Sequence, residues 1–299
     1  MSEVFKIVNG AKDFHGVQAI QNVNFSLLKG EIHSLLGENG AGKSTMTKVV
    51  AGVYQLSSGE LYFESKKATF NTPSEALKNG IVMVFQENSL VPNMTVPQNL
   101  YLGAEKYFNS LARLNIRASR FLQSLNFNVD PNLLVSQLGA AQKQMVEIAR
   151  AVHHNAKVII FDEPTATLTP EEKHHFFSLM QRLKVQGVSI VFISHALEEA
   201  LQNSDRITVL RDGEIIVTDL ASKFTRERIV KAMIGRDLSD SAYAASGGSK
   251  RKSRDRGEKV LEVENLSMGS MVKNSTFSAY SGQITGVFGL VGSGRTEMM

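Results

Sequence analysis

Gly37-Glu38-Asn39-Gly40-Ala41-Gly42-Lys43-Ser44-Thr45 is the stretch on which the reading of this chain turns. It fits the pattern G-x-x-x-x-G-K-[ST], which wraps backbone around a chain of phosphates. Each residue type in it has a physical task. Glycines let the main chain come close enough for its N–H groups to point at phosphate oxygens. A helix starting near Lys43 adds a partial positive charge of about +0.5 at its first turn. Lys43 then reaches the terminal phosphates, and the Ser44 hydroxyl is placed to hold Mg²⁺. The apolar run Ile32–Leu36 just before the loop reads as a strand, so the loop joins a strand to a helix. Gly37, Glu38, Asn39, Gly40, Ala41, Gly42, Lys43, Ser44 and Thr45 are therefore expected to bind the phosphates of a nucleoside triphosphate, ATP if the later motifs are those of an ATPase.

Further along, Val158-Ile159-Ile160-Phe161-Asp162-Glu163 is an apolar strand ending in two carboxylates. A buried strand would carry Asp162 rigidly to the metal of a triphosphate, and Glu163 would stand where it can polarise an attacking water. Other strand candidates are Ile81–Phe85, Val188–Ile193 and Ile207–Leu210, alternating with helical patterns as in an α/β unit. Between about residues 88 and 153 the strand pattern fades, and stretches such as Ala118–Leu125 and Gln142–Val152 predict a helical subdomain.

Residues 239–258 are rich in Ser, Gly, Ala and charge, without apolar periodicity, and read as a linker. Beyond it the sequence starts again. Phe25-Ser26, Gly30, Ile32, Gly37, Gly40, Gly42 and Met46 recur at one offset as Phe277-Ser278, Gly282, Ile284, Gly289, Gly292, Gly294 and Met298. A period of about 250 residues means duplicated domains. The expected organisation is a first domain over 1–238, the linker, and the start of a second domain over 259–299. That second copy breaks off just past its glycine loop, so the chain reads as a fragment or a truncated product.

Composition narrows the classes. Hydrophobic content of 42% and charged content of 21% suit a globular chain with a sizeable core. No apolar run approaches the ~18–20 residues of a membrane-spanning helix. Cysteine is absent, which excludes disulfide and thiolate chemistry. The net charge of +4 owes much to Lys250-Arg251-Lys252-Ser253-Arg254-Asp255-Arg256, read as a solvated linker, and no aromatic residue interleaves the basic ones to stack on single-stranded bases. Nucleic acid is not an expected partner.

A phosphate loop alone admits kinases, GTPases and many ATPases; the motifs that follow it resemble the ABC ATPases specifically. Val84-Phe85-Gln86-Glu87 resembles their Q-loop, Pro164-Thr165-Ala166-Thr167-Leu168-Thr169 their D-loop, and Ile193-Ser194-His195 the strand end that bears their switch histidine. The resemblance implies a P-loop NTPase core with a helical subdomain and an antiparallel β-subdomain. It also implies roles. Gln86 would sense the metal alongside Ser44 and Asp162, His195 would contact the γ-phosphate, and Phe14 would stack on adenine. The family's L-S-G-G-Q signature stands here as Leu138-Gly139-Ala140-Ala141-Gln142, with Gly139 in place of serine and Ala141 in place of a glycine.

The run after that signature, Lys143-Gln144-Met145-Val146-Glu147-Ile148-Ala149-Arg150, resembles ATPases of tandem-domain monosaccharide importers, as do Gln86-Glu87-Asn88-Ser89-Leu90-Val91-Pro92, Arg211-Asp212-Gly213 and Ile234-Gly235-Arg236. This branch implies an ATP-hydrolysing motor bound peripherally at the cytoplasmic face of the inner membrane. Its partners would be integral membrane permease subunits, through them an external solute-binding protein, and a second ABC domain in cis or another copy. A soluble tandem ABC protein acting on ribosomes or nucleic acid is the competing class; the short Ser/Gly-rich linker argues against it. In the second glycine loop Arg295 replaces the lysine, and arginine is a poor substitute at a tight phosphate site. Since the resemblance pairs each loop with the other domain's signature, both departures fall on one site. The expectation is one hydrolytic and one mainly binding site, with weak hydrolysis by this chain alone.

Overall fold

The computed structural model describes residues 2–86, 89–102, 111–154, 156–235, 257–269, 272–288 and 295–299. The chain divides into two units, Met1–Asp240 and Ser241–Met299.

In the first unit, β3 (Ile32–Leu36), β6 (Ile81–Val84), β7 (Val158–Asp162), β8 (Ser189–Ile193), β9 (Arg206–Arg211) and β10 (Glu214–Leu220) form one sheet, ordered β10-β9-β3-β8-β7-β6. From β9 to β6 all neighbours are parallel, while β10 returns antiparallel on β9. The strands expected from sequence are all present, with ends shifted by a residue. Asp162 is drawn into the ladder because it pairs with Ile193, and Phe85 drops out after the Val84–Phe161 pair.

The continuous apolar runs have a direct cause: this sheet is covered on both faces. Successive side chains of β7 alternate, Val158 and Ile160 toward one apolar core, Ile159 and Phe161 toward another. The first core is closed by an antiparallel sheet of β1 (Glu3–Phe14), β2 (Val17–Leu28), β4 (Ser58–Phe63) and β5 (Lys66–Ala68), ordered β2-β1-β4-β5, and by α1 (Lys43–Val50). The second is closed by α4 (Leu111–Ser124), α5 (Ala140–His153) and α6 (Pro170–Val185). Leu114, Ala118 and Leu122 of α4 are buried at a four-residue spacing, one stripe of a helix. Thr169 and Glu172 cap α6 reciprocally, and Pro170 opens it at the position where a missing N–H costs nothing. The short helices α2 (Pro73–Lys78), α3 (Val96–Leu100), α7 (Leu197–Asn203) and α8 (Arg226–Ile234) complete the unit.

The second unit contains the hairpin β11 (Lys259–Met268) and β12 (Val272–Tyr280), and α9 (Arg295–Met298). Its register reproduces that of the first hairpin: Val263 faces Phe277 as Ile7 faces Phe25, and Glu262 faces Ser278 as Lys6 faces Ser26. The repeat seen in sequence is thus a repeat of strand pairing. Most of the expected linker, and the second glycine loop before Arg295, lie outside the described residues.

One buried polar group gives the fold a pH response. His33 on β3 is fully buried, with Nε2 2.7 Å from Thr208 Oγ1 and Nδ1 3.3 Å from Glu31 Oε1. Burial holds its pKa below the ordinary 6.5, against the raising effect of Glu31. His153 and His154 are lowered too, again first by burial. Below about pH 6.5 the unfolded chain takes up these protons and the folded chain does not, so stability falls as the medium is acidified. Denaturant titrations at pH 7.5 and pH 5.5 should show that loss, and His33→Gln should flatten it while lowering stability at both pH values.

Candidate nucleotide site

Parallel strands deliver all their C-terminal ends to one edge, and in such sheets ligands bind outside that edge. The first turn of α1, directly after the loop that follows β3, carries Lys43 and Ser44, the end of β7 carries Asp162 and Glu163, the loop after β8 carries His195, and the loop after β6 carries Gln86. Four segments far apart in sequence therefore converge. They line a cleft of about 530 Å³ together with Ala19, Asn39, Gly40, Ala41, Gly42 and Thr45.

The loop geometry follows from its glycines at one decisive position. Gly42 sits at φ 99, and a Cβ there would meet Ala19 O at 2.6 Å and Ile20 Cγ2 at 2.8 Å. Helix α1 begins directly after it, with neither a side-chain cap nor an acidic residue in its first turn, so its leading N–H groups face the cleft side of the loop uncompensated. The Lys43 ammonium is buried and donates to the carbonyls of Gly37 at 2.8 Å and Glu38 at 2.9 Å. Burial lowers its pKa, and the charges of Glu163 and then Asp162 oppose that shift.

Ser44 Oγ donates to Asp162 Oδ1 at 3.4 Å. Burial raises the Asp162 pKa, offset first by the Ser44 hydrogen bond. A hydroxyl and a carboxylate side by side are the hard oxygen donors that Mg²⁺ takes, one or two from protein with water and phosphate supplying the rest. The donor set fits such an ion.

Glu163 is the centre of the polar cluster. Its backbone is left-handed, φ 53, a conformation that costs a non-glycine residue of order 1–3 kcal/mol and is held by surrounding contacts. Its N–H donates to Ile193 O at 3.1 Å. Its Oε1 lies 2.5 Å from His195 Nε2, and its Oε2 accepts from Gln86 Nε2 at 3.0 Å. A carboxylate so gripped on both oxygens is aimed into the cleft, where a water could be oriented by it and by the imidazole.

Two expected participants stand apart from this cluster. Phe14 is half-buried at the end of β1, its ring edge-on to Tyr54 at 5.0 Å and covered by Lys12 Nζ at 5.0 Å, and it does not line the cleft. Leu138, Gly139, Ala140, Ala141 and Gln142 lead into α5 and do not line it either. Gly139 is the N-cap of α5, and its N–H is accepted by Gln142 Oε1 at 3.2 Å, half of a capping box. A Cβ at Gly139 would meet nothing within 4 Å. Gly139→Ser should complete the box and stiffen the unfolded chain, raising stability by about 0.5–1 kcal/mol in denaturant unfolding.

Sequence reasoning did not find Ala19, nor a second tier of polar contacts. Glu199 of α7 accepts from Thr165 Oγ1 at 2.8 Å, Ser194 Oγ at 2.9 Å and Lys173 Nζ at 2.8 Å. Ser89, after β6, donates from both N and Oγ to the buried Glu147 of α5. The one signal for the first group was an acidic pair, Glu198-Glu199, opening a helix just after His195.

Residues 20–166 match the family model described as ABC transporter. The chain carries an ABC cassette. At the level of fold, the cassette is similar to one solved in its ADP conformation (TM-score 0.67, 28% identity, 79% of this chain and all of that one). It is similar as well to a dimeric cassette in a post-hydrolysis state bound to ADP and Pi (TM-score 0.65, 28% identity, 74% of this chain and all of that one). Among curated proteins the chain is 41% identical to the galactose/methyl galactoside import ATP-binding protein MglA of Clostridium perfringens, over 100% of its own length and 57% of that protein's. It is 40% identical to the ribose import ATP-binding protein RbsA of a Chelativorans species, over 99% of its length and 58% of that protein's. The xylose import ATP-binding protein XylG of Geobacillus kaustophilus is also 40% identical, over 99% and 60%. The chain thus spans somewhat over half the length of these relatives. Those relatives belong to the monosaccharide branch that the run after the signature resembles.

Proposed function

We propose that this chain is the nucleotide-binding part of the motor of an ABC importer for a sugar or similar small solute, binding and hydrolysing ATP and passing the resulting movement to membrane permease subunits. The observation that carries this is the convergence of Lys43, Ser44, Glu163, His195 and Gln86 on one cleft at the C-terminal edge of the parallel sheet, with Asp162 buried behind Ser44 and accepting from its hydroxyl. The phosphate chain lies along the 37–45 loop, its charge met by the Lys43 ammonium and the first turn of α1. Mg²⁺, held by Ser44 and Asp162 and approached by Gln86, would supply charge neutralisation at the phosphates. Glu163 takes a proton from the attacking water, and His195 fixes the orientation of that carboxylate.

The similarity to sugar-import proteins supports the transport role. So does a groove of about 220 Å³ between β6 and α5, lined by Leu77, Met83, Phe85, Leu102, Arg150 and His154. Its lining residue Phe85 immediately precedes Gln86, so a permease segment seated there would feel the loop move. None of the helices among the described residues is long and apolar enough to cross a membrane, so the permease would hold this subunit at the cytoplasmic face of the membrane. An external solute-binding protein would join through the permease, and a second ABC domain would complete each nucleotide site. The test is co-purification from detergent-solubilised membranes together with Mg²⁺-dependent ATP binding. Recovery with ribosomes and without membrane proteins would overturn the transport reading.

A further inference from the structure

The two side chains that meet at 2.5 Å in the cleft, Glu163 and His195, sit on separate loops, and a single carboxylate behind the cleft holds both loops. Thr165 is two residues beyond Glu163, and Ser194 immediately precedes His195. Both hydroxyls donate to the same atom, Glu199 Oε2, at 2.8 and 2.9 Å. The other oxygen, Oε1, is anchored by Lys173 Nζ of α6 at 2.8 Å. The Ser194 hydroxyl also accepts from Ala196 N at 3.0 Å, so both its donor and its acceptor capacity are committed. The Glu199 side chain is only 12% exposed, and a carboxylate so enclosed persists when its oxygens are paired with donors, as these are. It does not line the cleft and does not cap its own helix, whose N-cap, Ala196, offers no side-chain bond.

A need for such a hold is visible in the backbone. Glu163 stands in a left-handed conformation, and one backbone bond to Ile193 O ties it to the neighbouring strand end. Without a second tie beyond Glu163, the chain is free to relax toward an ordinary conformation and carry the carboxylate away from the imidazole. We propose that Glu199 is a positioning residue for ATP hydrolysis: through Thr165 and Ser194 it sets the separation of Glu163 and His195. The proposal rests on the hydrolytic reading of the cleft.

The experiment compares wild type with Glu199→Ala, Glu199→Gln and, as single-arm variants, Thr165→Val and Ser194→Ala. For each, kcat and KM are measured with Mg·ATP, nucleotide affinity with a fluorescent ATP analogue, and the His195 environment by its imidazole ¹⁵N shift. Glu199→Ala should lower kcat by roughly 10–100-fold, the scale of a misplacement near 1 Å. KM and analogue affinity should stay within about twofold, because Lys43 and its loop are untouched. The ¹⁵N signal should shift as the contact with Glu163 loosens. Glu199→Gln keeps an oxygen acceptor for both hydroxyls and should recover most of the rate, while each single-arm variant should fall between. Single-arm variants with wild-type kcat and an unmoved ¹⁵N signal would overturn the proposal even if Glu199→Ala fails to fold. Loss of affinity and kcat in parallel, with Glu199→Gln no better than alanine, would reduce Glu199 to a stability role. Wild-type protein that binds no Mg·ATP would instead remove the hydrolytic reading and the proposal with it, a different and separable failure.

Discussion

Lys43→Ala is expected to cost at least about 100-fold in affinity for Mg·ATP, read by equilibrium binding of a fluorescent nucleotide. The ammonium is buried at the centre of the loop, 2.8 and 2.9 Å from the two carbonyls that shape it. Burial already disfavours its charged form, and the carboxylates of Glu163 and Asp162 compensate in part. A triphosphate places several negative oxygens in the same space, so the lysine would exchange carbonyl partners for charged ones. A hydrogen bond to a charged group contributes about 1.5–3 kcal/mol, and two such bonds correspond to about two or more decades in affinity. Alanine also leaves the Gly37 and Glu38 carbonyls without that donor, so part of the loss will come from a loop that no longer holds its curvature. Unchanged affinity would mean that the nucleotide lies elsewhere, and the assignment of the cleft would fail.

The site was legible in sequence wherever chemistry is written in consecutive residues. The loop 37–45 is such a case, because its curvature depends on glycines at positive φ and on the Lys43 ammonium bonded to its carbonyls. The strand ending in Asp162 and Glu163 is another, since a run buried on both faces cannot be anything but a central strand once helices flank it. His195 was singled out by resemblance, and the sheet explains why it meets Glu163: β8 lies beside β7, so their ends are neighbours. Glu199 was not legible, for a physical reason. Its partners lie 34, 26 and 5 residues away, and no periodicity encodes three contacts that join a loop, a strand end and two helices. Phe14 is ambiguous in sequence for the opposite reason. An aromatic residue at a strand end can serve a base or a neighbouring ring, and here Tyr54 and Lys12 occupy its surroundings. The clamp of Ser89 on Glu147 was likewise hidden, because it joins the loop after β6 to the middle of α5.

Glu163→Gln should separate binding from turnover. The substitution preserves length and leaves an amide oxygen that can still accept from Gln86 or His195, so the loop after β7 should keep its shape. Mg·ATP affinity should remain within a few-fold, because the phosphates are held by Lys43 and the start of α1. Hydrolysis should fall by about 10²–10⁴-fold, the usual contribution of a positioned general base. The structure argues for the carboxylate rather than the imidazole as that base. Glu163 is the group reached from both sides, with His195 Nε2 at 2.5 Å on one oxygen and Gln86 Nε2 at 3.0 Å on the other, so its direction is fixed by its neighbours. His195 is the more exposed of the two, at 45% against 12%, so the better enclosed group is the carboxylate. If the chemistry ran through His195 instead, Glu163→Gln would lose only the orientation of the ring, and His195→Ala would be the more damaging change. Single-turnover hydrolysis of the two variants, measured at saturating nucleotide, decides between them. A glutamine variant that keeps more than about a tenth of wild-type turnover would place the proton transfer elsewhere in the cleft.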